Sequence, residues 1–303
     1  MESNRISLKD VWAKTDPFQS IMTHATLSGL AAQVIWEKLP EGVREELACL
    51  LSITQEQGKA WLGYLVSLHD IGKVEELFQW QWPEMRAWIE QAGKKPEFAD
   101  TKVLHERTTV EALNERIWKE LGAEKSLRSF YAGVLGAHHQ GKDGKGGSKH
   151  TKNSSFWNGL QAELEETMRQ LFLKTEVLSF PPLEKPQKGP AGAFLLGLTI
   201  LSDWIASGDL FADAETWFDP EKTWAEAEQK VERFLEDSGL CSPDVDFGRE
   251  FSEVWPNIPR NGLRGLQEDI EVLFGETEER ISVVLIEAPM GEGKTEAGIY
   301  AAL

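Results

Sequence analysis

Residues 61–73 read WLGYLVSLHDIGK. An apolar run is followed by the polar pair His69-Asp70 and then by isoleucine, Gly72 and Lys73. The apolar residues fall at helical spacing with His69, so the pattern predicts a core helix that carries an imidazole on its buried face. An unpaired buried carboxylate is costly, and Asp70 therefore requires a partner cation or a metal ion. Gly72 allows the chain to turn, and Lys73 supplies a cation beyond the helix end. A structural cap explains an isolated His-Asp pair equally well, so the interpretation depends on the other residues of the chain.

Length, charge and cysteine content limit the class of protein. The 303 residues suffice for two domains or one large one, and the 12 tryptophans support a sizeable core. A formal charge of −18 argues against binding nucleic acid through the overall field, so such contact must be local or supplied by another domain. Cys49 and Cys241 form no CxxC pair, which favours a reduced cytoplasmic compartment. The first 15 residues lack a signal peptide, and the longest apolar run, 191–201, is too short to span a bilayer, so we expect no membrane partner.

The predicted helix 127–139 is the most informative of the other elements. Apolar residues recur at i, i+3, i+4, i+7 and i+8, and His138 and His139 occupy the next two places on the same stripe. Two charged imidazoles side by side would repel each other, whereas neutral ones suit a transition metal. A helix end stabilised by a protonated histidine explains one of the two better than both.

Three more predicted helices each bring one polar residue of interest. These are His24 in helix 19–39, His105 at the start of helix 105–121, and Asp203 in helix 191–207. A single histidine on an inner stripe is usually a hydrogen-bonded core residue, and an N-terminal one also suits a solvent-facing position. Asp203 is in phase with apolar residues, and its own predicted helix supplies no lysine or arginine. A metal ion would provide the compensating charge.

One clearly basic segment interrupts the acidic chain. The glycine-rich residues 141–153 carry four lysines: Lys142, Lys145, Lys149 and Lys152. A solvated loop is the simplest interpretation of this composition. Its place directly after His139 also makes contact with the phosphates of DNA a hypothesis.

The last segment has a different character. Prolines in 240–262 indicate a boundary, a helix is predicted at about 263–274, and the β-branched run 281–286 predicts a buried strand. The strand leads into Ala288-Pro289-Met290-Gly291-Glu292-Gly293-Lys294-Thr295 and a helix, the arrangement of a phosphate-binding loop. The loop predicts an ATP site formed by Gly291, Gly293, Lys294 and Thr295, with Mg²⁺ on the threonine. Because the sequence continues only eight residues past this loop, we expect the front part of a larger protein and no ATPase activity from this part.

The polar residues on the predicted apolar helices suggest two metal ions. Seven candidate ligands are His24, His69, Asp70, His105, His138, His139 and Asp203. Seven nitrogen and oxygen ligands are too many for one tetrahedral ion, and imidazole-rich sites favour Mn, Fe, Co, Ni or Zn over Ca or Mg. Two ions about 3.5–4 Å apart can activate water and stabilise the leaving oxygen of a phosphodiester.

The order of these residues resembles a known family. It is similar to the HD-type nuclease domain of the CRISPR-associated helicase-nuclease of type I systems. The motif HDIGK at 69–73, followed by FQ at 78–79, resembles the family signature, and SDWIAS at 202–207 resembles its late aspartate motif. EAPMGEGKTE at 287–296 resembles the first helicase motif of the same protein. The resemblance covers nearly the whole chain.

This resemblance implies an all-α fold: an HD-domain helical bundle with a dinuclear metal site, followed by the strand, P-loop and helix that start a RecA-like helicase domain. The implied boundaries are 1–240 for the nuclease domain, 241–275 for a linker with a helix, and 276–303 for the truncated helicase start. One ion would take His24, His69, Asp70 and Asp203, and the other Asp70, His105, His138 and His139. Asp70 would then be a shared catalytic ligand, with Lys73 facing the scissile phosphate.

The same resemblance implies the activity and the partners. The domain would cut single-stranded DNA, endo- or exonucleolytically, in CRISPR interference. An ATP- and Mg²⁺-dependent helicase in the full-length protein would deliver the DNA, and an RNA-guided CRISPR surveillance complex would recruit the enzyme.

Two alternatives remain open from the residues. An HD phosphohydrolase acting on nucleotides or cyclic dinucleotides would use the same ligands, although the helicase-like tail argues against it. A degenerate HD domain that serves only as a docking module would lack catalysis, although the complete ligand set argues against that.

Overall fold

The computed structural model describes residues 6–91, 96, 104–139, 153–175, 177–239, 250–276 and 286–302. The chain folds into two compact units, Met1–Cys241 and Ser242–Leu303. Helices dominate the described residues, as the sequence predicts.

The first unit consists of helices and a short hairpin. The strands and the first helices are β1 Trp12–Thr15, β2 Phe18–Ser20, α1 Ile21–Lys38, α2 Glu41–Leu51, α3 Gln55–Ser67, a 3₁₀ turn Ile71–Lys73, α4 Glu76–Gln79 and α5 Pro83–Gln91. The following helices are α6 His105–Val110, a π-helical stretch Glu111–Ile117, α7 Trp118–Glu120, α8 Lys125–Leu135, α9 Ser155–Met168 and a second π-helical stretch Arg169–Leu173. The last are α10 Lys188–Ser207, a 3₁₀ turn Asp209–Phe211, α11 Ala214–Trp217 and α12 Trp224–Asp237.

The N-terminal hairpin corrects the all-α expectation. β1 and β2 pair antiparallel, with Trp12 opposite Ser20 and Thr15 opposite Phe18. Strands of three or four residues are too short for a recognisable alternation of polar and apolar side chains, so they produce no periodic signal in the sequence. Ser20 ends β2 and caps α1, because its hydroxyl accepts a hydrogen bond from the Thr23 backbone N–H.

The centre of the unit is the packing of α1 against α3, with α10 beside α1. Gly29 and Gly63 permit this close approach, since a Cβ on Gly29 would lie only 2.7 Å from the Gly63 carbonyl oxygen. A capping box at Thr54 and Gln57 fixes the start of α3. The first turn of α1 and the C-terminal end of α3 thereby carry His24 and His69 into one core.

The end of α8 corrects a predicted boundary. The helix ends at Leu135, and His138 and His139 lie in the turn that follows, not on the helix itself. The cause is a contact with α6: a Cβ on Gly136 would lie 2.8 Å from the Glu106 carbonyl oxygen, so the backbone of the two segments meets there.

Helix α10 is longer than its apolar run suggests. In the described part of the chain, one helix, α10, is long and apolar enough to cross a membrane by length and composition alone. In the structure it packs against α1 and α8, and it carries Asp203 near its C-terminal end. The apolar side chains of α10 therefore pack against other helices of the bundle.

The second unit is small. It contains α13 Phe251–Val254, a 3₁₀ turn Arg260–Gly262, α14 Gly265–Glu276 and α15 Lys294–Ala302. The predicted strand at 281–286 lies outside the described residues except for Ile286, which has no regular structure. Helix α14 matches the helix predicted at about 263–274.

Candidate metal centre

Five separate segments bring the seven predicted ligands together. His24 comes from α1, His69 and Asp70 from the turn after α3, His105 from the start of α6, His138 and His139 from the turn after α8, and Asp203 from α10. Their donor atoms form two groups, and within each group all donors lie within 4.8 Å of one another. One group is His24, His69, Asp70 and Asp203; the other is Asp70, His105, His138 and His139.

Asp70 belongs to both groups and turns a different oxygen toward each. Its Oδ2 lies 3.1 Å from His24 Nε2 and 3.5 Å from His69 Nε2. Its Oδ1 lies 3.1 Å from His105 Nε2 and 3.4 Å from His138 Nε2. One carboxylate therefore joins the two histidine groups.

Asp203 completes only the first group. Its Oδ1 lies 3.4 Å from His24 Nε2 and 3.6 Å from His69 Nε2, and the same oxygen accepts a hydrogen bond from the Ser207 hydroxyl one turn later. Both imidazoles that approach Asp203 come from other segments. As the sequence predicts, the compensating charge beside this acid comes from outside its own helix.

Hydrogen bonds on the far side of the rings orient three of the imidazoles. The Nδ1–H of His69 donates to the Val66 carbonyl at 2.8 Å, and that of His138 donates to the Leu135 carbonyl at 2.6 Å. Both bonds span three residues, because each histidine lies in the turn just after a helix. Nδ1 is thus protonated and the Nε2 lone pair faces the centre, as in metal-binding histidines.

His24 is oriented by Gln19, a residue that no sequence motif indicates. The Nδ1 of His24 lies 3.0 Å from Oε1 of this buried glutamine, whose Nε2 donates to the Ala206 carbonyl at 3.1 Å. Because the second bond fixes the amide orientation, Oε1 must accept from the imidazole, which again leaves Nε2 free. The bond to Ala206 joins residues far apart in sequence, and no local pattern could have predicted it.

Several buried polar atoms at the centre make no hydrogen bond of acceptable geometry among the described residues. They are Asp70 Oδ1, Asp70 Oδ2, His105 Nε2 and His138 Nε2, although Asp70 Oδ2 forms an ion pair with the Lys73 ammonium at 2.6 Å. Buried polar atoms without partners are costly. A cation in each group would satisfy them, and five imidazoles with two carboxylates suit a transition ion of borderline softness. The donor set therefore fits the pair of divalent ions that the sequence predicts.

The carboxylates at the centre are held in their charged form. Burial opposes the charge on Asp70, but the ammonium of Lys73 and the imidazoles of His69 and His105 outweigh it and hold its pKa well below the usual range. Burial likewise opposes the charge of Asp203, and its close contacts with the imidazoles of His24 and His69 lower its pKa by more. Both acids are consequently ready to attract cations at any physiological pH.

The histidines have pKa values on both sides of the ordinary value of 6.5. Burial lowers the pKa of His24, but its contacts with both carboxylates raise it further, so the net change is upward. The pKa of His138 is raised in the same way, against its burial, chiefly by Asp70. For His69 and His139 burial prevails, and the pKa falls. Protons therefore compete with cations most strongly at His24 and His138.

The site opens toward solvent at one ligand. His139 is exposed, whereas the other six candidate ligands are buried. Among the described residues, the group containing His139 is thus the more exposed of the two to solvent.

Lys73 lies directly on Asp70. Its Nζ is 2.6 Å from Asp70 Oδ2 and donates to the Ala13 carbonyl at 3.1 Å, and its side chain is only 14% exposed. The lysine that follows the His-Asp pair in sequence therefore also lies beside the candidate ligands in space. Its role toward a phosphate remains a prediction.

The predicted phosphate-binding loop lies in the second unit. Gly291 and Gly293 have left-handed backbone angles, with φ of 88° and 74°, and α15 begins at Lys294. Lys294 Nζ donates to the carbonyls of Ala288 and Pro289 at 2.6 and 2.8 Å. Thr295 is on α15 beside it, and the binding of ATP by these residues remains a prediction. The four lysines at 142, 145, 149 and 152 fall outside the described residues.

Comparison with known proteins identifies the family. The family model described as "Cas3, HD domain" matches residues 12–212. The chain belongs to the Cas3 HD domain family. The matched range contains all seven candidate ligands, which agrees with the family that the sequence motifs resemble.

Three similar proteins extend this finding. The CRISPR-associated endonuclease/helicase Cas3 of Thermus thermophilus is 30% identical over 304 residues, which cover 96% of this chain and 32% of that protein. The chain thus spans about a third of the length of this curated relative. The crystal structure of the Thermus thermophilus cas3 HD domain in the presence of Ni²⁺ matches with a TM-score of 0.54 and 22% identity, covering 71% of this chain and 84% of that one. A chain of a CRISPR RNA-guided surveillance complex in a pre-nicking state matches with a TM-score of 0.64 and 22% identity, covering 98% and 34%. Both structural matches show the fold.

Proposed function

We propose that this chain is a metal-dependent nuclease domain that hydrolyses phosphodiester bonds of single-stranded DNA in CRISPR interference. The observation that carries the proposal is the shared carboxylate of Asp70, whose two oxygens face two separate groups of histidines. The preference of imidazole-rich sites for Mn, Fe, Co, Ni or Zn supports a pair of such ions.

The residues of each group have assigned roles in this proposal. His24, His69, Asp70 and Asp203 would hold one ion, and Asp70, His105, His138 and His139 would hold the other. When bound, such ions lower the pKa of water and stabilise charge on the leaving oxygen of a phosphodiester.

The chain itself supplies orientation and charge. The Nδ1 hydrogen bonds of His24, His69 and His138 fix which nitrogen faces the centre, and Asp70 sets the separation of the two groups. Lys73 acts as a catalytic residue, because its ammonium next to Asp70 can donate to a phosphate oxygen of the bound DNA. The exposed His139 marks the side on which the DNA strand enters.

The acidic chain needs a local surface to hold DNA. We assign this role to Lys142, Lys145, Lys149 and Lys152, which follow His139 in sequence. Each phosphate contact with a single strand contributes about 0.7 to the slope of log affinity against log salt. Replacing all four lysines with glutamine should reduce that slope by up to about 3, whereas an unchanged slope would show that the loop is merely solvated.

Other activities belong to the larger protein in this proposal. Residues 276–303 would begin a RecA-like helicase domain that binds ATP and Mg²⁺ through Gly291, Gly293, Lys294 and Thr295. The similarity to a curated endonuclease/helicase and to a chain of a surveillance complex supports recruitment by an RNA-guided complex.

The test compares substrates for the metal-loaded chain. The 303-residue protein is stripped of metal, reloaded with Mn²⁺, and incubated with linear and circular single-stranded DNA, duplex DNA, nucleotides and cyclic dinucleotides. We expect cleavage of single-stranded DNA, and cleavage of the circles would identify endonuclease activity. Hydrolysis of nucleotides alone would overturn the proposal in favour of an HD phosphohydrolase. Failure to bind any transition ion after reconstitution would instead favour a docking module without catalysis.

A further inference from the structure

Gln79, the last residue of α4, connects the N-terminal hairpin to the turn that carries Lys73. Its side chain is fully buried. Its Oε1 accepts from the Trp12 backbone N–H at 3.1 Å, and its Nε2 donates to the carbonyls of Trp12 at 2.9 Å and Lys73 at 2.8 Å. One amide thus satisfies both backbone groups of a strand residue and one backbone group of the 3₁₀ turn.

The hairpin in turn holds the Lys73 side chain. Ala13, the residue after Trp12 on β1, accepts a hydrogen bond from Lys73 Nζ at 3.1 Å, and the same ammonium lies 2.6 Å from Asp70 Oδ2. Stacking between Trp12 and Phe78, with ring centroids 4.6 Å apart, holds the strand against α4. The contacts form a closed loop from Gln79 through β1 to the ammonium and back along the Lys73 backbone.

We propose that Gln79 is a positioning residue that, through β1, keeps the Lys73 ammonium on Asp70 Oδ2. This inference deepens the proposed function and rests on it. A lysine side chain has four rotatable bonds and a strongly hydrated head group. The Ala13 carbonyl restricts that freedom, and the hydrogen bonds of Gln79 keep β1 beside the turn.

The position of the ammonium has two opposite consequences. It lies on the carboxylate oxygen that faces His24 and His69, so it repels a divalent cation in that group. The same fixed charge is available to a phosphate oxygen of the substrate. Loss of Gln79 should therefore strengthen metal binding and slow cleavage, whereas a general loss of structure would weaken both.

The experiment measures both quantities in the 303-residue chain. We compare Gln79→Met, Lys73→Met and the double variant at about pH 8, above the ordinary pKa of an imidazole. The control is Gln33→Met, which removes a buried glutamine that donates to the Lys59 carbonyl away from the site. Binding of Mn²⁺ alone is followed by calorimetry, and kcat and KM are measured on single-stranded DNA.

We expect Lys73→Met to bind Mn²⁺ in the group of His24 and His69 about tenfold more strongly, because the repulsion between an ammonium and a divalent ion about 4 Å apart is large enough for such a change even in water. Gln79→Met should change affinity in the same direction and lower kcat more than it raises KM. The double variant should match Lys73→Met, because Gln79 acts through the lysine. Gln33→Met should leave both quantities unchanged.

Two results would overturn the inference: weaker Mn²⁺ binding by Gln79→Met, or additive losses of kcat in the double variant. If Gln79→Met does not fold, Gln79→Glu keeps the acceptor for the Trp12 N–H while it loses the amide donors, and it is judged by the same outcomes. If the unmodified chain binds Mn²⁺ but cleaves no DNA, the proposed function fails, and the affinity comparison still decides whether Gln79 positions Lys73.

Discussion

Replacing Asp70 with asparagine should remove both ions, because this carboxylate contributes one oxygen to each histidine group. Asparagine keeps the shape but offers one neutral oxygen and an amide nitrogen that cannot bind a cation. Breaking a buried charge pair by removing one partner costs about 3–5 kcal/mol. Since about 1.4 kcal/mol corresponds to a factor of ten, affinity at each group should fall by about two to four orders of magnitude. DNA cleavage should be lost with the ions.

The matched control is Asp203→Asn, which removes a carboxylate that faces only His24 and His69. Calorimetric titration with Mn²⁺ should show two ions for the unmodified protein, one for Asp203→Asn, and neither at comparable concentration for Asp70→Asn. Far-ultraviolet circular dichroism checks that all three proteins keep their helices. Retention of two ions by Asp70→Asn, or loss of the same single ion by both variants, would refute the shared role of Asp70.

Three other predictions test the titration, the packing and the buried network. The pKa values of His24 and His138 are raised in the metal-free protein, and imidazoles must be neutral to bind, so Mn²⁺ affinity should rise between about pH 6 and pH 8 with release of protons; calorimetry showing pH-independent affinity would contradict this. In Gly72→Ala the added Cβ would collide with backbone of α6, and the melting temperature should fall by roughly 5 °C or more, whereas Gly159→Ala, with open space around it, should be neutral or stabilising. Tyr64→Phe removes a hydroxyl that donates to the buried Glu165 and accepts from Trp118. Denaturant unfolding should show that the free energy of unfolding falls by about 1–3 kcal/mol. An unchanged midpoint would show that this network adds no stability.

Helical periodicity predicts the helices well because it depends only on nearby residues. The predicted helix 19–39 corresponds to α1 Ile21–Lys38, and the predicted helix 191–207 lies within α10 Lys188–Ser207. The same periodicity places Asp203 and His24 on inner stripes, and in the structure both face the common centre. Polar residues on apolar stripes are conspicuous, so the sequence alone could indicate the site.

Contacts between distant segments decide what periodicity does not. The end of α8 depends on the contact of Gly136 with α6. The turn that follows keeps His138 and His139 close to the positions they would have on the apolar stripe of α8, which is why the pattern predicts a longer helix. The contacts of Gln19 with Ala206 and of Gln79 with Trp12 join residues 187 and 67 positions apart. The division of Asp70 between two groups likewise depends on how five segments pack together.

Anomalous X-ray diffraction from crystals of the chain loaded with Mn²⁺ would locate the bound ions and identify their ligands in one experiment. We expect two peaks about 3.5–4 Å apart, both in contact with Asp70, one beside His24 and the other beside His139. A single peak, or two peaks of which either lies away from Asp70, would contradict the dinuclear centre.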